Sequence, residues 1–208
     1  MLIDIYRKTI KMKRGLLFIF LTCSMLTLMA QKRPLILARP ADWRFEQFTL
    51  PPEFAPAVKY KGLEELRFSP GWGDKNATDY FTLIFGIRFD DTKSVSQEDI
   101  KNYLLTYFRG LCDFTVKARK LSPVDTSAIK VTFERQKKQI GDRIYNVTLN
   151  MFGVFTDGAP ITLNMEIKVS EDPDHQRVYL HIIASPLPKT HPVWKGLHEE
   201  QLYFAMKA

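Results

Sequence analysis

Residues 80–90 alternate without a break. Phe81, Leu83, Phe85, Ile87 and Phe89 fall on one side, and Tyr80, Thr82, Ile84, Arg88 and Asp90 on the other. A period of two over this length predicts a strand with one apolar face. Leu63–Phe68 reads as the strand before it, joined to it by the long loop Ser69–Asp79. The period then changes. Ile100, Leu104, Tyr107, Phe108 and Leu111 recur at helical spacing, so a helix is predicted from Ser96 to near Ala118. Ser96 supplies a capping hydroxyl, and Glu98 and Asp99 place negative charge at the free amides of the first turn.

Four alternating segments follow. They carry Ile129, Val131 and Phe133; then Tyr145, Val147, Leu149 and Met151; then Ile161, Leu163, Met165, Ile167 and Val169; then Val178, Leu180 and Ile182. The links between them, Gln139–Asp142, Thr156–Pro160 and Glu171–Gln176, are rich in turn residues and too short for parallel crossovers. The predicted order is β-β-α-β-β-β-β. A sheet with one apolar face and one amphipathic helix pack together. The expectation is an α+β domain, a curved antiparallel sheet of about six strands on one main helix, with a short C-terminal helical segment.

Residues 31–60 break the pattern. Pro34, Pro40, Pro51, Pro52 and Pro56 alternate there with Trp43, Phe45, Phe48 and Phe54. Proline interrupts ladders while aromatics need burial, so this stretch reads as an arm laid over the domain at 61–208. Ahead of it, residues 16–30 are LLFIFLTCSMLTLMA, preceded by Lys11, Lys13 and Arg14. Basic residues, an apolar run and then a small residue give the order of a secretory signal peptide, with cleavage after Ala30. The run is shorter than a bilayer span. Met12 is an alternative start, and the residues before Cys23 match a lipid-attachment box poorly.

The leader changes the charge reading. The chain has 30 basic and 23 acidic residues, a net charge of +7. Removing the leader's five basic residues and one acidic residue leaves a net charge of +3. A dedicated nucleic-acid binder carries a larger excess. The remaining basic cluster, Arg135, Lys137 and Lys138, reads as a solvated hairpin end. Cys112 is then the single cysteine and lies on the helix's apolar stripe, which predicts a buried, inert thiol.

Chemistry-bearing residues are sparse. No nucleophile elbow, phosphate loop or dinucleotide fingerprint occurs. The four histidines lie in HQRVYLH and THPVWKGLHEE, without zinc-ligand spacing. No cofactor or metal is expected. Two places carry candidate ligand-binding residues. The first is the sheet face turned from the helix, where Asn146, Thr148, Asn150, Asn164, Glu166, Tyr179 and His181 alternate with apolar residues. Neutral amides and hydroxyls there suit an uncharged polar ligand. The second is the turn SPGWGD, where Trp72 stands between Gly71 and Gly73 with Arg67 and Asp74 near in sequence. The glycines predict a backbone free to swing the indole over the sheet. Trp72 then either lids the core or walls a polar site shared with Arg67 and Asp74.

The stretches PPEFAP (51–56), GLEELRFSPGW (62–72) and DYFTLIF (79–85) together resemble a group of exported bacterial proteins of unknown function. The resemblance covers the arm and the first hairpin, implies export, and brings no catalytic residue. Two function classes remain. One is a non-catalytic binding or interaction module in the periplasm or outside the cell, taking an uncharged polar ligand or another envelope protein. The other is a hydrolase acting on an envelope or imported substrate. Neither calls for nucleic acid or for a membrane span after cleavage. Mass spectrometry of the envelope fraction should find a mature chain beginning at Gln31; an intact leader retained in the cytoplasm would contradict export.

Overall fold

The computed structural model describes residues 36–134 and 143–205. The leader and the Arg135–Lys138 cluster lie outside the described residues, as does the Gln139–Asp142 link. Seven strands form one antiparallel sheet: β1 (Arg44–Leu50), β2 (Lys61–Phe68), β3 (Leu83–Asp90), β4 (Lys130–Phe133), β5 (Arg143–Phe152), β6 (Pro160–Asp172) and β7 (Arg177–Ser185). Helix α1 (Gln97–Arg119) follows β3, and α2 (Val193–Ala205) follows β7. The spatial order is β1-β2-β3-β7-β6-β5-β4. After β3, α1 carries the chain to the far edge, and β4 to β7 return hairpin by hairpin until β7 pairs with β3.

The α+β class stands, with two corrections. There are seven strands rather than six, because part of the presumed arm is β1. RFEQFTL contains no proline; Pro40 and Pro51 bracket it instead. It runs along the edge of the sheet, paired only with β2 in the register Arg44↔Phe68 to Leu50↔Gly62. Prolines at the ends of an edge strand cost no ladder bond. The second correction is the start of β3. Phe81 keeps its place in the core but lies at φ 50°, inside a turn that closes with Thr82 N–H donating to Asp79 O at 3.1 Å. Ladder pairing therefore begins at Leu83 rather than Tyr80.

Helix α1 forms as its pattern requires. Ser96 Oγ accepts from the Asp99 amide at 3.1 Å, and Asp99 Oδ2 accepts from the Ser96 amide at 3.0 Å, a reciprocal cap. Lys120, left-handed at φ 55°, ends it. Ile100, Leu104, Phe108 and Cys112 sit in the main core with Phe81, Phe85, Val147, Leu149, Leu163 and Leu180. Phe108 meets Phe85 edge-on at 6.3 Å. Burial pushes the Cys112 thiol up to about 11, which keeps it protonated and unreactive.

The opposite face of the sheet is also covered. Ile84 of β3 and Ile183 of β7 pack with Leu37 from the segment before β1 and with Trp194 and Leu197 of α2. The domain therefore has a layer on both sides of its central strands. In a urea melt, Phe108→Ala should destabilise the fold by about 3–5 kcal/mol, the usual loss for a buried aromatic. A loss below about 0.5 kcal/mol, the surface range, would mean that α1 does not seal this core.

Candidate functional site

The strand KGLEELRF sends consecutive residues to opposite faces, which separates the residues that the sequence placed together. Phe68 and Trp72 belong to the α1 side, where Trp72 packs 5.0 Å from Phe68, 4.9 Å from Phe81 and 5.2 Å from Phe155 between ring centroids. Arg67 points the other way. Its guanidinium donates to Leu37 O at 3.1 Å and Trp43 O at 3.4 Å, and lies 4.3 Å from the Phe45 ring centroid. Asp74 accepts from the Asn76 amide at 2.9 Å in an exposed turn. Trp72, Arg67 and Asp74 thus form no common site. Gly71 also has another reason than free rotation: a Cβ there would lie 2.0 Å from Asp79 Oδ1, and the Gly71 amide donates to Asp79 Oδ2 at 3.0 Å.

Glu65 is the second half of the Arg67 arrangement. Its Oε2 accepts from the Ile36 amide at 2.8 Å and the Leu37 amide at 2.6 Å, and its Oε1 from Gln47 Nε2 at 2.8 Å. Together Glu65 and Arg67 hold the backbone of residues 36–43 across the sheet. Gly86, opposite Glu65 on β3, makes room, since a Cβ there would meet Leu37 Cγ at 2.7 Å. Next in this row comes His181, then Lys168. Both are buried beneath the second layer, His181 to 1 % exposure. Burial first, and Lys168 second, push the imidazole down to about 3, so it is neutral. His181, proposed from the sequence as a ligand contact on an open face, is enclosed.

The rest of the Thr/Asn face is partly engaged by the segment leading into α2 and by α2 itself. Asn146 accepts from Lys189 Nζ at 2.5 Å, and Asn164 Nδ2 donates to Leu187 O at 3.1 Å. Glu166 lies 3.4 Å from Lys189 Nζ and 3.0 Å from His198 Nε2. Tyr179 packs against the Ile84–Trp194 cluster. Asn150, which accepts from Thr162 Oγ1 at 3.3 Å, remains exposed, and Thr148 is half-buried between them. The continuous polar platform expected from the alternation is reduced to its outer end.

The opposite side of the sheet holds a cavity of about 60 Å³ between β1–β3, α1 and the loop carrying Phe155. Its inner wall includes Leu83, Phe85, Phe108 and Leu163, all buried; its half-exposed rim includes Glu46, Phe48, Phe54, Trp72 and Phe155. At the roughly 30 Å³ that each water takes in the liquid, it has room for about two. The sequence pointed to Trp72 but missed Glu46 and Phe155. The signal for Glu46 was the strand alternation of RFEQFTL, which sets Arg44, Glu46 and Phe48 on one face. Phe155 follows a strand in a turn, where no periodicity marks it.

Behind the cavity lies Glu64, fully buried on the α1 side of β2. Tyr103 Oη donates to its Oε2 at 3.4 Å. Burial pushes its carboxyl up to about 8, against the pull of the Tyr107 and Tyr103 hydroxyls. It is therefore protonated at neutral pH. In comparisons with known proteins, no family model matches the chain, and neither a curated protein nor a solved structure does. The likeness carried by PPEFAP and GLEELRFSPGW rests on those residues alone.

The two buried groups act on stability with opposite sign. Glu64 titrates near 8 in the fold against an ordinary 4.5, so the folded state keeps a proton that the unfolded chain loses. Stability falls as pH rises through that window. His181, near 3 against an ordinary 6.5, is protonated first in the unfolded chain, so its share is lost as pH falls from 6.5. They oppose each other between 4.5 and 6.5 and leave Glu64 alone from 6.5 to 8. Urea midpoints should decline across that upper window, and Glu64→Gln should remove the decline; a slope unchanged in the variant would contradict the assignment.

Proposed function

We propose that this protein is an exported, non-catalytic binding module that takes a small ligand, or an apolar group of a partner, into the aromatic cavity behind Trp72. The observation that carries the reading is the cavity itself: an unfilled space walled by aromatic rings and open at a half-exposed rim. Interiors normally pack without voids of this size. Leaving this one open costs stability, and Leu111 of α1 lines it at a position where a larger side chain would reduce it. Apolar walls with few polar groups at one edge describe a small-molecule site. The polar groups of the other face weigh less, because Glu65 and Arg67 are spent on residues 36–43 and Asn146, Asn164 and Glu166 on the α2 side.

Trp72 serves as both lid and wall. It packs on Phe68, Phe81 and Phe155 while lining the cavity. Small branched-alkyl compounds should bind saturably and shift the Trp72 indole resonance. Leu111→Phe, which fills the space from the rim, should abolish that binding while leaving the melting temperature equal or higher. Binding that survives the filled variant would place the ligand elsewhere.

A further inference from the structure

A cation already lies beside the rim. Arg44 and Glu46 lie two residues apart on one face of edge strand β1. The Arg44 guanidinium sits 4.3 Å from the Phe68 ring centroid and 5.3 Å from that of Trp72. Its Nη2 is 3.7 Å from Glu46 Oε1. With 58 % of its side chain exposed, Arg44 keeps much of its surface in solvent. Among the described lining residues, Glu46 carries the only charge; the rings of Phe48, Phe54, Trp72 and Phe155 make up most of the rest of the rim, and Phe68 lines the wall behind it.

Ring faces are electron-rich, and indole binds cations most strongly of the aromatic side chains. One carboxylate beside two rings that already carry a guanidinium over them, Phe68 and Trp72, complements positive charge. The lining offers that charge few hydrogen-bond acceptors. A primary ammonium brings three donors that would have to give up water, whereas an alkylated ammonium brings few or none and is apolar at its surface. The cavity itself, with room for about two waters, is smaller than a trimethylammonium head, so such a head would sit at its mouth with one methyl group directed inward. An anion would instead face the Glu46 carboxylate across apolar walls.

We propose that the mouth of the cavity recognises an alkylated ammonium group, its charge set against Trp72, Phe68 and Glu46 in the place that the Arg44 guanidinium now takes. This rests on the reading of the cavity as a ligand site and adds the chemical class of the ligand.

The test titrates the full chain with three probes of matched shape, followed by Trp72 indole shifts and by calorimetry. Choline carries the cation, 3,3-dimethylbutan-1-ol replaces its nitrogen with carbon, and 3,3-dimethylbutyrate carries an anion. Choline should bind roughly 5- to 30-fold tighter than the alcohol, the range of a cation–π contact that is partly to fully desolvated. Glu46→Gln should shrink that ratio, and Arg44→Gln should tighten choline binding by removing the resident cation. Both substitutions are at half-exposed or exposed positions, and an unchanged melt would show that the fold is kept. Equal binding of choline and the alcohol overturns the proposal while leaving the cavity a ligand site. Tightest binding by the butyrate overturns it in favour of Arg44 as an anion anchor. Saturable binding by none of the three overturns both this proposal and the reading beneath it.

Discussion

The constraint on which the rest depends is that β3 and β7, at the centre of the sheet, are buried on both faces. Phe85, Ile87, Leu180 and Ile182 go into the core beneath α1, while Ile84 and Ile183 go under α2 and residues 36–43. A central strand that alternates apolar with apolar cannot face water on either side. A second layer is therefore required, and the chain supplies it from both of its ends. Gly86 is the point of closest approach, where the missing Cβ lets Leu37 lie against the backbone.

That second layer brings polar cost with it. A loop laid on a buried face must find partners for its peptide groups. Glu65 and Arg67 provide them, one accepting from two consecutive amides and the other donating to two carbonyls. Adjacent Glu64 is on the α1 side and has only tyrosine hydroxyls, so it stays protonated to a pH near 8. Two identical neighbours thus differ in chemistry because the strand's pleat sends them into different media. The same alternation separates Arg67 from Trp72 and divides one apparent site into a structural clamp and a cavity rim.

The cavity follows from the topology as well. The β1 end of the sheet is an edge, and the loops carrying Phe54, Trp72 and Phe155 converge there with aromatic rings. Large, rigid rings carried on loops do not fill space as branched aliphatic residues do. The space left has Glu46 at its rim because β1 is only half covered.

Period-two and helical spacing are local properties, and they determined the α1 cap, most strand limits, the buried set around Phe108 and the inert setting of Cys112. The alternation of β4 to β7 with short turns also determined their antiparallel neighbours. Three things were decided by the tertiary structure. One was that RFEQFTL becomes an edge strand: prolines at its borders look the same in sequence as prolines that break it, and only pairing with β2 separates the two. Another was the fate of the polar face. The residues that read as an open platform include His181, and only the return of α2 and residues 36–43 encloses it. The last was the site. Trp72 could be singled out from its turn, but Glu46, Phe54 and Phe155 come to it from distant parts of the chain, and proximity of that kind has no period to read.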